Sequence, residues 1–227
     1  MRHKNEKHTA YFDVLDALVK TAECALCALE SVSLKRYFDG LLYEMVNDPK
    51  VRSELAHSKG YCHRHAHMLL DQSGAFGTAL LYQDQIEAFR KCLEGFSVAR
   101  SRYVAGRGER SWSTHAGCPA CRIQDESRKR NLSVLCKWIA DPDMRAAFQK
   151  SAGFCVPHFF VAVEFLKRPE DCEFVVQVHR EKYADLAREL AEFERKHNYQ
   201  FSGEIMGKEC DSWQRAVKMI VGSRGLF

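Results

Sequence analysis

The chain has 227 residues, 34 Lys and Arg against 30 Asp and Glu, a formal net charge of +4, and 46% hydrophobic residues. That composition belongs to an ordinary globular protein and excludes disordered or collagen-like chains. The small positive excess permits an acidic partner, whereas nucleic-acid binding would need a concentrated basic surface.

The first residues, Met1 to His8, lead into a segment carrying Asp13 and Asp16, so the apolar core of a signal peptide is not expected. No apolar run approaches membrane-spanning length. A cytoplasmic location is therefore expected, and the ten cysteines then read as metal ligands rather than a disulfide framework.

In chain order, Tyr11, Val14, Leu15, Leu18 and Val19 recur at helical spacing. The stripe resumes after Cys24-x-x-Cys27 with Leu29, Val32, Phe38, Leu41, Leu42 and Met45. Asp48-Pro49 has the form of an N-cap with proline at the first helical position, and Gly60 ends the short helix it starts. Cys62-x-x-His65 opens another helix toward Leu70, and after Ser73-Gly74 a long stripe carries Leu80, Leu81, Ile86, Phe89, Leu93 and Phe96. Between Ala99 and Gly117 the periodicity disappears, and Arg100, Arg102, Arg107 and Arg110 stand among glycines and serines. This segment is read as a solvated linker, since no aromatic stacking platform accompanies its arginines.

The order then repeats. Cys118-x-x-Cys121 precedes a helix with Val134, Leu135, Trp138 and Ile139, then Asp141-Pro142, then Cys155-x-x-His158. Asp48 and Asp141 are 93 apart, as are Gly60 and Gly153. A long helix follows Pro169, and a final short one carries Trp213, Val217 and Ile220. The expected fold is all-α: two duplicated helical halves, 1–98 and 118–227, joined by the basic linker 99–117.

Each half holds three cysteines and one histidine, a complete set for a closed tetrahedral zinc site, so two Zn²⁺ per chain are expected. Within a half, Cys24, Cys27, Cys62 and His65 would share one ion, and Cys118, Cys121, Cys155 and His158 the other. Ligands at i and i+3 on the first turn of a helix fall on one face, and the free N–H groups there favour thiolate. The residues themselves leave an iron–sulfur cluster and metal-free thiols open. Thioredoxin-like chemistry lacks its βαβ context, and haem attachment lacks a histidine after Cys27 or Cys121. Cys92, Cys136, Cys172 and Cys210 have no spaced partners and read as small buried hydrophobes, less firmly for the last two.

The paired C-x-x-C and G-[YF]-C-x-x-H motifs, with Asp-Pro between them, resemble an uncharacterised bacterial family with a domain of unknown function. The resemblance covers most of the chain and implies a cytoplasmic bacterial protein, but no substrate. The expected role is a binding or adaptor protein for an unidentified protein or small molecule, with nucleic acid not favoured and no membrane. An iron–sulfur electron-transfer or sensing protein and an enzyme are the alternatives. For the enzyme, the divergence between the repeats supplies candidates. His63, His67 and Asp84 would be catalytic, and Arg64 and Tyr82 would bind a ligand, because at the 93-residue offset they face the less polar Val156, Phe160, Gln177, Pro157 and Val175 of the second half.

Overall fold

Residues 7–94, 112, 117–201 and 203–227 are described by a computed structural model, and among them all regular structure is helical. The α-helices are α1 (Thr9–Lys20), α2 (Ala25–Gly40), α3 (Pro49–His57), α4 (His63–Leu70), α5 (Ala75–Glu94), α6 (Pro119–Trp138), α7 (Pro142–Lys150), α8 (Val156–Phe165), α9 (Pro169–Lys196) and α10 (Ser212–Val221). A π-helical turn, Leu41–Met45, continues α2, and two 3₁₀ turns lie between α9 and α10. No described helix is long and apolar enough to cross a membrane.

The local signals act as their chemistry requires. Asp48 accepts hydrogen bonds from the backbone N–H groups of Lys50 and Val51, and Asp141 from that of Met144, with proline at the next position in both. Gly60 and Gly153 have φ of 90° and 80°, the left-handed conformation that swings the chain into each C-x-x-H helix.

Packing divides the chain at places other than the repeat boundaries. Met1–Ser31 joins Ser127–Phe227 in one compact unit, and Val32–Glu126 forms the other, so the divisions fall inside α2 and α6. In the first unit α1 packs on α7. The Tyr11 hydroxyl donates to Asp141 Oδ1 at 2.7 Å, Lys7 bonds both Tyr11 and Asp141, and the Tyr11 ring meets Trp138 edge-on at 5.3 Å. Tyr11, Val14, Leu18, Leu135, Ile139 and Phe148 are buried in this unit. In the second unit α3 and α4 pack on α5 over Leu55, Tyr61, Leu69 and Leu81. There Gly77 lets α5 approach the end of α2, since a Cβ would stand 3.0 Å from Leu42 and Val46 side chains.

Two expectations are corrected. Cys210 is exposed rather than buried, while Cys92, Cys136 and Cys172 are half-buried. Several stripe residues also face outward. Trp213, Val217 and Ile220 of α10 are 51–58% exposed, because Ser212 and Met219 occupy its inner side. Most of the linker lies outside the described residues.

Candidate metal centres

The eight expected ligands gather into two groups, and the pairing is exchanged between the repeats. Cys24 and Cys27 meet Cys155 and His158, and Cys118 and Cys121 meet Cys62 and His65, with all ligand atoms of a group within 4.8 Å of one another. The expectation that each ion would be held within one half is thus overturned. Each group takes its C-x-x-C from one repeat and its C-x-x-H from the other, and lies wholly inside one compact unit. The chemistry of the motifs did not distinguish these pairings, since either C-x-x-C offers the same two thiolates to either C-x-x-H.

Both groups are built at helix starts. Cys27 lies in the first turn of α2 and Cys121 in that of α6, while Cys62 and Cys155 are the N-caps of α4 and α8. Each histidine points Nδ1 at the sulfurs. His158 Nδ1 is 3.4, 3.4 and 3.3 Å from Cys24, Cys27 and Cys155, and His65 Nδ1 is 3.2, 3.6 and 3.3 Å from Cys62, Cys118 and Cys121. The Sγ atoms of Cys27 and Cys155 are 3.6 Å apart, as are those of Cys62 and Cys121. Either group could hold a metal ion.

The surroundings differ. Cys24, Cys27, Cys155 and His158 are all buried, whereas Cys62 and Cys121 are only half-buried. His158 Nε2 donates to Glu30 Oε1 at 2.7 Å, which fixes Nδ1 as the ligand atom, and Glu30 in turn receives both arms of the Arg128 guanidinium at 2.7 and 3.0 Å. A fully buried carboxylate needs such partners, because unpaired it would cost several kcal/mol. The Phe227 ring stands edge-on to His158 at 4.9 Å and under Arg128 at 5.2 Å.

At the other centre Gln124 stands where Glu30 does, each the sixth residue after its first cysteine. Gln124 is near enough to His65 to favour its protonated form, while His65 Nε2 makes no hydrogen bond of good geometry. The two imidazoles are driven apart accordingly. With no ion bound, burial works to lower His158, but the hydrogen bonds its ring donates to Cys155, Cys27 and Glu30 raise it to about 11, while burial and then the charge of Arg64 lower His65 to about 4.

The glycine turns differ too. Phe154 N–H donates to His179 Nε2 at 2.8 Å, and His179 Nδ1 donates to the Val175 carbonyl at 2.7 Å, so this ring is neutral. Burial accordingly lowers its pKa. Beside Gly60 stands Gln85, also buried, with its Oε1 unpartnered.

The other candidates are dispersed. His63 and His67 are exposed and meet edge-on with ring centroids 4.6 Å apart. His67 and Tyr82 line a largely apolar cavity of about 820 Å³ with Leu70, Ala75 and Ala79. Asp84 is held instead by Arg52 through two hydrogen bonds of 2.6 and 2.7 Å. Sequence reasoning missed Glu30, Arg128, Gln124 and His179. The first and third could have been found from their equal distance after the C-x-x-C pairs.

The family of unknown function DUF6062 matches residues 6–225. The chain belongs to this family. It is also 21% identical over 209 residues to an uncharacterized 23.9 kDa protein in the xynA 3' region of Caldicellulosiruptor sp. (strain Rt8B.4), covering 90% of this chain and 98% of that protein. No solved structure matches.

Proposed function

We propose that this member of the family is a cytoplasmic helical binding module, stapled by two structural zinc ions. The observation that carries this reading is the closed geometry of both ligand groups. With Zn–S near 2.3 Å and Zn–N near 2.05 Å, a regular tetrahedron has S···N edges of about 3.5 Å and S···S edges of about 3.8 Å. The separations found are 3.2–3.6 Å and 3.6 Å. Three thiolates and an imidazole fill all four positions, which favours scaffolding over metal-centred catalysis. Confinement of all four ligand atoms within 4.8 Å favours a single ion over an iron–sulfur cluster, whose separate irons would spread them. Thiolate sites also suit a reducing compartment. On the same reading, 1–98 and 118–227 descend from one duplicated unit, with 99–117 as connector.

Metal analysis and a visible spectrum of protein purified without oxygen test this. Two zinc ions per chain and no visible absorption are expected. A charge-transfer spectrum with stoichiometric iron and sulfide would replace zinc by a cluster.

A further inference from the structure

The two centres share the same S···S separation but not the same access. Cys27 and Cys155 are completely buried and the Phe227 ring covers His158, so no solute reaches that sulfur pair. Cys62 and Cys121 are half-buried with Sγ atoms 3.6 Å apart, and they come from the N-cap of α4 and the first turn of α6. Behind the ligands, the buried centre has a carboxylate and an arginine anchoring its histidine, whereas the histidine of the half-open one lacks a good partner. A thiolate ligand reacts with oxidants according to its exposure and electron richness, and it leaves its ion more readily where the outer partners are weak.

We propose that Cys62 and Cys121 form a reversible oxidation site, in which a peroxide converts two metal ligands into a disulfide and frees the ion. The proposal rests on the zinc reading above. Cys62 Sγ attacks one peroxide oxygen, the O–O bond breaks, and the second oxygen leaves as hydroxide and becomes water, leaving Cys62 as a sulfenic acid. Cys121 Sγ then attacks the Cys62 sulfur, the S–O bond breaks and a second hydroxide leaves. The two thiolates lose two electrons in all, the peroxide gains them, and two protons complete two waters. Cys118 and His65 alone cannot hold the ion. A dithiol reductant reverses the step by supplying two electrons, after which the four ligands can bind again.

The test uses the full chain loaded with zinc and carrying Cys210→Ser, which removes an exposed thiol distant in sequence from both groups. Hydrogen peroxide is added with a chromophoric chelator present, and peptide mass spectrometry maps the products. One of two ions should leave at least about tenfold faster than the other, the scale on which outer partners act. A Cys62–Cys121 disulfide should appear with it, and dithiothreitol plus zinc should restore both. Two ions leaving together, a Cys27–Cys155 disulfide, or oxidation confined to Cys92, Cys136 or Cys172 with both ions retained would overturn the oxidation site while leaving the zinc reading standing. Protein that binds no zinc at the outset overturns both.

Discussion

The Cys24 and Cys62 groups gather the same residue types at similar separations, yet one is sealed and braced while the other is half open. One sequence difference bears on the bracing. Glu30 has a charge to offer its histidine and then requires Arg128 to balance it, while Gln124 has no charge and needs no such partner. The two groups keep the same three cysteines and one histidine while the layer behind them differs, so the candidate ligand set and its surroundings vary separately.

The most drastic way to break the comparison is to attack the exchanged pairing itself. Cys27→Ser with Cys155→Ser removes two ligands of one centre and should leave one metal ion per chain. Cys27→Ser with Cys62→Ser damages both centres and should leave none. Metal analysis of the two purified double variants decides, and the reverse result would mean that each repeat holds its own ion.

Exchanging the outer residues should sharpen the contrast with a smaller effect. Glu30→Gln is expected to weaken the Cys24 centre by about 10–100-fold in affinity. Gln124→Glu should shift the Cys62 centre the other way, provided a cation can approach it. Chelator competition on the two variants measures both, and equal affinities throughout would show the outer layer to be inert.

The smallest effect concerns the glycine turns. His179→Gln places an amide where the Gly60 turn already has Gln85, and should cost about 0.5–1.5 kcal/mol, the net worth of one hydrogen bond. It should also alter the response to acid. Because burial depresses the native pKa of His179, its contribution is complete above the unfolded histidine value of about 6.5 and is lost as pH falls from there through the native value. Denaturant titrations between neutral and mildly acidic pH should therefore show a steeper loss for the parent than for the variant. Parallel curves would remove His179 from the account.

The sequence by itself determined the helices, the Asp-Pro caps, the left-handed glycines and the identity of all eight ligand candidates, because each follows from local chemistry. Asp48 needs only the next three residues to cap α3, and Cys62 and His65 need only one turn of helix to share a face. Tertiary structure alone decided which pair meets which. Pairing inside a repeat would close a loop of 35 residues between Cys27 and Cys62, whereas the structure joins Cys27 to Cys155 across 128. Nearly two doublings of loop length cost only about 1 kcal/mol. That is less than the packing of α1 on α7 around Tyr11, Asp141 and Trp138 can supply, so the long-range contacts settle the partner and the ligands follow. The same holds for Glu30, an unremarked helical glutamate in the sequence, which becomes part of a metal centre only when α8 brings His158 to it.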